Sequence, residues 1–284
     1  MSGGGRGGTV AARAQRAIAA IERHGDGAEV FVTERHGHAR DLAKSAVRRG
    51  ARLVMAWGGD GTINEVASAL AFDEVPLGII PAGSGNGLAG ELRISRRVEV
   101  AIASALAAVP RAIDVGEIDG RLFVNVAGVG FDAYVAAAFN APGNRRRGLF
   151  GYARLGCRAL ITYVPRRYRL DLDGARSESR AVLIGVANGA QYGNNARIAP
   201  SATVDDGLLD LVVVEESSRL RTLLNVPRLF SGGAERVSGY RSAKIRRGSI
   251  ESDGPIDFHV DGEPVKGGAN LKIRVHPGAL MIAC

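Results

Sequence analysis

The chain has 284 residues, and its 37 Lys and Arg against 29 Asp and Glu give a formal net charge of +8. Hydrophobic residues make up 46% and charged residues 23%, which is typical of a folded protein and excludes disorder over the whole chain. No apolar run approaches the length of a membrane-spanning helix, which is about 20 residues. The N-terminal segment MSGGGRGG lacks the apolar core of a secretory signal. We therefore expect a cytoplasmic protein whose positive charge favours nucleic acid, an anionic membrane surface or a phosphorylated ligand.

The first third of the chain alternates between helix and strand patterns. Apolar residues at helical spacing indicate helices, and short apolar runs indicate buried strands. The predicted helices are residues 11–22, 39–48, 63–70 and 98–108, and the predicted strands are residues 28–32, 53–57 and 77–80. This alternation predicts βαβ units around a parallel sheet.

From about residue 114 the pattern changes to many short strands separated by Gly and Asp turns. The predicted strands are residues 122–126, 168–172, 181–187, 208–214, 243–246, 256–260 and 271–275, with helices at 149–163 and 220–230. Short strands at this density favour an antiparallel sandwich or barrel. The sequence therefore predicts an α/β domain followed by a mostly β domain.

A glycine-rich loop follows the predicted strand 53–57 and precedes a predicted helix. Its sequence is Gly58-Gly59-Asp60-Gly61-Thr62. Glycines let the backbone approach a ligand closely, and the N-terminus of the following helix suits phosphate. A carboxylate at Asp60 would then orient Mg²⁺, water or a hydroxyl. Taken alone, the loop fits a tight turn with an Asp helix cap equally well.

A second glycine-rich loop, residues 81–87 (PAGSGNG), follows the predicted strand 77–80. Because the carboxyl ends of parallel strands meet at one edge of a sheet, the two loops should converge on one crevice. Neither loop has the Lys of a Walker A motif, and Ala82 and Asn86 stand where a nucleophile elbow around Ser84 would need glycine. The loops therefore predict a phosphate site of another type.

Four segments together resemble the diacylglycerol kinase catalytic family, which includes YegS-like bacterial lipid kinases and sphingosine kinases. They are GGDGTINE, GSGNGLA, VANGAQYGNNARIAPSATVDDGLLDLVVV and HVDGEPV, in the family's order over nearly the whole chain. GGDG alone is also shared with NAD kinases. The resemblance implies an ATP-dependent kinase of a lipid hydroxyl. It implies a three-layer α/β nucleotide domain (residues 1–114 with 276–284), a β-rich sandwich domain for the lipid (residues 115–275), and a site in the cleft between them.

The resemblance also implies a set of binding residues for ATP and Mg²⁺. The implied ATP-binding residues are Thr33, Gly58, Gly59, Asp60, Gly61, Thr62, Ile63, Asn64, Gly83 and Ser84. A structural Mg²⁺ would be held by Asp206, with backbone oxygens of Thr203 and Leu208, a ligand set that suits a hard cation. Without the resemblance, residues 205–207 (DDG) are most simply a β-turn that needs no metal.

The family's general base corresponds to Glu263 in the HVDGEPV segment, with Asp261 nearby as a support and Asp60 as a third catalytic carboxylate. A lipid alcohol is a poor nucleophile, and a positioned carboxylate can take its proton as phosphorus is attacked. Alone, the DGE sequence would indicate only a hairpin turn.

The sequence departs from the family in two places. The family's first strand and its Asn-Pro-x-Ser-Gly loop are absent from the chain as given, which we expect to bear on nucleotide binding. Gly87 stands where bacterial members commonly have Asp, which leaves the identity of the acceptor lipid open.

The expected partners are ATP, a lipid alcohol and a peripheral anionic membrane surface, and a homodimer is left open. Residues 145–147 (RRR) before the predicted helix 149–163 fit either docking on anionic lipid or a packed helix with solvated arginines. Nucleic acid is not expected, because no RNP, zinc-finger or helix-turn-helix signature is present. Two alternatives to a lipid kinase remain: an NAD kinase-like phosphotransferase, and a non-catalytic nucleotide- or lipid-binding protein.

Overall fold

The computed structural model describes residues 10–25, 27–140, 163–193, 196–218, 228 and 233–284. The chain divides into two compact units. Unit 1 comprises Met1–Ile113 with Gly278–Cys284, and unit 2 comprises Asp114–Pro277. In the described part of the chain, no helix is long and apolar enough to cross a membrane.

Unit 1 is built from helices around a parallel sheet. Its elements are α1 (Val10–Glu22), α2 (His38–Arg48), β1 (Val54–Gly58), α3 (Asp60–Leu70), β2 (Leu77–Pro81), α4 (Gly87–Glu91) and α5 (Val98–Ala107). β2 pairs in parallel with β1 on one side, Leu77 opposite Val54, and with the end of the last strand of the chain on the other, Leu77 opposite Ile282. The predicted alternation of helices and strands is confirmed.

Helices α1 and α5 pack on this sheet through small side chains. Ala17 and Ala20 of α1 and Ile102 of α5 form one apolar cluster with Ile80 of the sheet. A Cβ on Gly78 would lie 3.1 Å from the Cβ of Ala105, so the glycine lets α5 lie close to β2. This close packing supports the strand ends from which the glycine loops begin.

The predicted strand 28–32 is not a strand in the structure. Residues 27–34 carry no regular secondary structure, and the side chains of Val30, Phe31 and Val32 are 38%, 46% and 48% exposed. The prediction relied on a short apolar run, but such a run forms a strand only where a neighbouring strand and a packing surface accept it. Local propensity was therefore insufficient here.

Unit 2 is a network of antiparallel strands. Its elements are β3 (Arg111–Ile118, beginning in unit 1), β4 (Arg121–Phe123), β5 (Val126–Gly130), α6 (Phe131–Asn140), β6 (Arg166–Leu172), β7 (Ala175–Ala187), β8 (Gln191–Gly193), β9 (Ala196–Arg197), β10 (Leu209–Glu215), a 3₁₀ turn (Ala234–Arg236), β11 (Tyr240–Ile245), β12 (Arg247–Glu251), β13 (Asp257–Val260), β14 (Glu263–Lys266) and β15 (Asn270–Ala283, ending in unit 1).

The long strand β7 organises this network. Its first half pairs with β6, and its second half lies between β5 and β10. From there β6 continues to β12 and β15, β5 continues to β13 and β14, and β10 pairs with β11. One apolar cluster is drawn from most of these strands and includes the fully buried Phe123 and Phe258. The predicted antiparallel, β-rich second part is confirmed.

Two local predictions for unit 2 were wrong. Residues 122–126 form not one strand but the end of β4 and the start of β5, because the N–H groups of Val124 and Asn125 donate to the carboxylate of Asp261 instead of to a neighbouring strand. Helix α6 was not predicted, and it begins directly after the left-handed Gly130 (φ 90°) at the end of β5. The predicted helices 149–163 and 220–230 lie outside the described residues, apart from Tyr163 and Arg228.

Candidate functional site

The two glycine loops of unit 1 meet at the carboxyl ends of β1 and β2. The Ala82 N–H donates to the Gly58 carbonyl (2.9 Å), and a Cβ on Gly83 would lie only 2.6 Å from the Cα of Gly59. No side chain fits between backbones that approach so closely, so both loops require glycine at the contact. The predicted convergence of the loops is confirmed.

Asp60 joins the two loops through its carboxylate. Its Oδ1 accepts the Gly87 N–H (2.7 Å) and its Oδ2 accepts the Asn86 N–H (2.9 Å). Burial raises the pKa of Asp60 above its usual value, and the backbone donors of Gly87 and Asn86 oppose that rise. The carboxylate therefore positions the second loop. A direct role for Asp60 toward a metal or a hydroxyl stays a prediction.

Asn86 closes the second loop, a role that the motif analysis missed. Its backbone is left-handed (φ 52°), its Oδ1 accepts the Gly83 N–H (2.8 Å), and its Nδ2 donates to the Gly83 carbonyl (2.7 Å). Ser84 lies exposed within the ring so formed. An Asn between two glycines could have predicted this role, since Asn tolerates the left-handed region and hydrogen-bonds to nearby backbone.

The first loop leads directly into α3, which begins at Asp60. The N–H groups of a helix's first turn and its positive dipole end face the preceding loop, so Gly61 and Thr62 lie where an anion would be favoured. The side chains of Ile63 and Asn64 are buried, 1% and 7% exposed, and the Ile63 N–H already donates to the Gly59 carbonyl (3.0 Å). Contact of either residue with ATP stays a prediction. The predicted phosphate loop thus has two kinds of residue: backbone donors and buried supports.

Thr33, the remaining residue of the implied ATP set, lies exposed in the segment 27–34. No hydrogen bond joins it to the glycine loops in the described part of unit 1. Farther along the chain, Glu65 of α3 accepts the N–H groups of Gly37 (2.7 Å) and Ala39 (3.0 Å) at the start of α2. Contact between Thr33 and a nucleotide stays a prediction.

In unit 2 the DGE sequence forms the predicted hairpin between β13 and β14. Val260 pairs with Glu263 across a two-residue turn, and both turn residues are left-handed, Asp261 at φ 47° and Gly262 at φ 86°. This is the backbone of a type I′ turn, which Asp-Gly favours. The turn places Glu263, partly exposed, at the first position of β14.

Asp261 clamps this hairpin to the break between β4 and β5. Its carboxylate accepts three backbone N–H groups, from Val124 (2.9 Å), Asn125 (3.0 Å) and Val126 (2.9 Å). Three donors on two oxygens leave Asp261 poorly placed to accept a proton from a substrate. Of the two carboxylates in the hairpin, Glu263 is therefore the better candidate for a base.

The residues implied to hold a structural Mg²⁺ form a turn in which the Asp206 carboxylate already has hydrogen-bond partners. The carboxylate of Asp206 accepts the Thr203 hydroxyl (3.2 Å) and the Leu208 N–H (3.0 Å), and the Lys244 ammonium lies 2.5 Å from its Oδ2. This hydrogen bond raises the pKa of Lys244. A cation at Asp206 would have to displace another cation, so this arrangement does not fit Mg²⁺ unless Lys244 moves. The described residues contain no cluster of three metal-ligating side chains.

The same turn is tied to β3 by Asp114, which sequence reasoning also missed. Asp114 is 2% exposed, and its Oδ2 accepts the Gly207 N–H (2.7 Å). Asn188, fully buried, donates its Nδ2 to the carbonyls of Asp114 and Val124 (both 2.9 Å). Asn188 lies in residues 187–189 (ANG) of one of the motif segments, but sequence alone cannot distinguish a buried amide from a solvated one.

The chain matches two family profiles. The profile described as "Diacylglycerol kinase catalytic domain" matches residues 1–118, and that described as "YegS C-terminal NAD kinase beta sandwich-like domain" matches residues 125–284. Among curated proteins, "Probable lipid kinase YegS-like" from Chromohalobacter salexigens is 32% identical over 273 residues, covering 95% of this chain and 88% of the relative. "Probable lipid kinase YegS" from Escherichia coli is 30% identical over 271 residues, covering 94% and 89%.

Solved structures show the same fold. A diacylglycerol kinase from Bacillus anthracis str. Sterne superposes with a TM-score of 0.76 at 20% identity, covering 99% of this chain and 93% of that one. An NAD kinase from Archaeoglobus fulgidus, solved in complex with ATP, gives a TM-score of 0.55 at 14% identity, covering 95% and 88%. The fold is therefore the one shared by diacylglycerol and NAD kinases. The chain belongs to the diacylglycerol kinase catalytic family, carries the YegS type of C-terminal domain, and is a kinase. The family resemblance and the fold class expected from the sequence are confirmed.

Proposed function

We propose that this protein transfers the γ-phosphoryl group of ATP to the hydroxyl of a lipid alcohol. The single observation that carries the proposal is the contact between the two glycine loops through Asp60, in a chain whose relatives are named as lipid kinases. Phosphoryl transfer depends mainly on positioning and on neutralising charge, and a pre-formed backbone loop supplies both for a phosphate chain.

Unit 1 takes the role of holding ATP in this proposal. The loop at Gly58–Asp60 and the start of α3 offer backbone donors and a helix N-terminus to the phosphates, and the exposed Ser84 offers a hydroxyl. The Asp60 carboxylate keeps the second loop against the first, so that both meet one ligand. Mg²⁺ would arrive with ATP, as part of the substrate, and would neutralise charge on the transferred group.

Unit 2 supplies the base. Glu263 would take the proton of the lipid hydroxyl as the oxygen attacks phosphorus, and Asp261 would hold the hairpin without taking part in the transfer. The acceptor oxygen then bonds to phosphorus, the bond to the β-phosphate oxygen breaks, and ADP leaves. The proton remains on Glu263 until solvent removes it.

The reaction would take place at an anionic membrane surface, to which the protein binds peripherally, because the net charge of +8 attracts anionic headgroups. The alternative of an NAD kinase-like activity shares the fold, but the curated relatives cited above and the YegS-type profile over residues 125–284 favour a lipid acceptor.

The test uses ATP labelled at the γ-position with a panel of lipid alcohols in mixed micelles and with NAD in a parallel reaction. We expect label on at least one lipid and none on NAD. Label on NAD alone would contradict the proposal. Label on neither, from folded protein that binds ATP, would favour a binding protein without kinase activity.

A further inference from the structure

A buried polar cluster lies directly beneath the Asp261–Gly262 turn. It consists of His259, Asp132 and Tyr192, and His259 and Asp132 are 1% and 5% exposed. The imidazole Nε2 lies 2.7 Å from the Asp132 Oδ2 and 2.6 Å from the Tyr192 hydroxyl, which also hydrogen-bonds to the Asp132 Oδ1. The proposed phosphoryl transfer uses none of these three side chains.

The hydrogen bonds fix which nitrogen of His259 carries the proton. The Gly262 N–H donates to Nδ1 (3.3 Å), so Nδ1 is an acceptor without a proton, and Nε2 must carry the proton that it donates to Asp132. The imidazole thus connects the turn on one side to a buried carboxylate on the other. Such a second partner commonly sets the tautomer and orientation of a functional histidine.

The cluster has no room to shift. A Cβ on Gly128 would lie 2.1 Å from the Asp132 Oδ2 and 2.4 Å from the His259 Nε2, so both groups pack directly on the backbone of β5. Asp132 lies in the first turn of α6, where the helix dipole favours a negative charge. The Tyr192 ring stands edge-on to the imidazole, with centroids 5.8 Å apart and the planes at 88°. The imidazole is therefore held by polar contacts at both nitrogens and by packing against β5 and the Tyr192 ring.

We propose that His259 is a positioning residue for the kinase reaction: held by Asp132 and Tyr192, it fixes the Gly262 N–H, and through that N–H the orientation of the Glu263 carboxylate. The inference rests on the proposed function, because it matters only if Glu263 is the base. The Asp261 carboxylate anchors the turn to the break between β4 and β5, and His259 anchors it through the Gly262 N–H. Two anchors on adjacent residues restrict the left-handed turn from which Glu263 projects.

The experiment compares two substitutions that remove opposite ends of the imidazole. His259→Asn keeps an acceptor near the position of Nδ1, toward Gly262, whereas His259→Gln reaches toward Asp132 and removes the acceptor that Nδ1 offers to the Gly262 N–H. Because a misplacement of about 1 Å can cost about 100-fold in rate, we expect kcat to fall about 10- to 100-fold in His259→Gln but within about threefold in His259→Asn. The KM for ATP should change in neither. The control is His276→Gln, which replaces a partly buried histidine away from the hairpin, paired with Glu117 at 2.8 Å, and should leave kcat unchanged.

A double-substituted protein separates positioning from packing. If His259 acts through Glu263, adding His259→Gln to Glu263→Gln should lower kcat no further, since interacting residues are non-additive. Equal kcat losses in the Asn and Gln variants, or a further loss in the double variant, would overturn the proposal. Wild-type turnover in Glu263→Gln would instead reject the base itself and this inference with it. A loss in Glu263→Gln with full turnover in His259→Gln would reject only the positioning role.

A measurement on the unaltered protein covers the case in which His259→Gln does not fold. Nitrogen NMR of ¹⁵N-labelled imidazole, at the pH of the kinase assay, should show the tautomer with a proton on Nε2 and none on Nδ1 of His259. A protonated Nδ1 would break the bond from Gly262 and would overturn the proposal.

Discussion

At the scale of single residues, two carboxylates of the kinase motifs serve the backbone before they serve any ligand. Asp60 accepts two N–H groups of the second glycine loop, and Asp261 accepts three at the break between β4 and β5. A buried carboxylate with such partners is costly to replace, because the donors left behind cannot reach water. We infer that Asp is required at positions 60 and 261 partly because its carboxylate assembles the site.

Asp60→Asn tests this assembly role. The amide can accept one of the two N–H groups but presents an N–H to the other, so we expect unit 1 to lose about 1–3 kcal/mol of unfolding free energy and to bind ATP more weakly. Urea denaturation measures the first effect and calorimetric ATP titration the second.

The matched control is Asp73→Asn, because Asp73 accepts only one local bond, from the Val75 N–H (3.0 Å), and the amide oxygen of Asn can still accept it. An Asp60→Asn protein with unchanged stability and ATP affinity would show that the carboxylate does not hold the loops together.

The sequence predicted the residues of the motifs and not their buried partners. The glycine loops, the Asp-Gly turn and Glu263 are contiguous in sequence, and their types indicate a backbone conformation directly. The partners come from far away: Asp132 and His259 meet across 127 residues, and Asp60 and Gly87 across 27. A polar residue that is buried and bonded in the fold has the same letter as a solvated one, so only the structure could reveal these pairs.

At the scale of elements, the turn between Thr203 and Leu208 shows where the implied chemistry and the geometry diverge. The motif implies a metal at Asp206, whereas the Lys244 ammonium already occupies the position next to its carboxylate. The turn is further fixed by the Gly207 N–H on Asp114. We infer that this turn is stable without a divalent cation.

Addition of Mg²⁺ in the absence of nucleotide should therefore leave the melting temperature unchanged, because a ligand stabilises only what it binds. Thermal unfolding with and without millimolar Mg²⁺ is the measurement, and Lys244→Ala is the comparison, since removing the ammonium frees the carboxylate to bind a metal. A rise in melting temperature for the unaltered protein would restore the metal site implied by the family.

The elements that the sequence predicted well are those with strong local patterns. Helices α2 and α3 and strands β1 and β2 lie within a few residues of their predicted bounds, because their apolar spacing agrees with how they pack. The segment 27–34 and the break before β5 were mispredicted because tertiary partners decide them: the first lacks strand pairing and the second donates to Asp261. Strands of this kind are defined by their neighbours.

At the scale of the whole molecule, the charge of +8 predicts an electrostatic attraction to anionic membranes. Binding to vesicles should rise with the fraction of anionic lipid and fall with salt, at about 1 kcal/mol per basic residue near the surface. Vesicle sedimentation at two salt concentrations measures it, and replacing the arginines at 145–147, which lie outside the described residues, tests one source. Equal binding to neutral and anionic vesicles at low salt would reject the attraction.

The rate of phosphoryl transfer by Glu263→Gln tests most directly whether the chain is a kinase whose base is Glu263. The amide keeps the size and hydrogen bonding of the carboxylate but cannot accept the proton. Because a positioned base contributes about 10²–10⁴-fold, we expect the single-turnover rate to fall by that much while ATP affinity stays within about threefold. A Glu263→Gln protein that keeps more than about a tenth of the wild-type rate, with chemistry rate-limiting, would show that Glu263 is not the base.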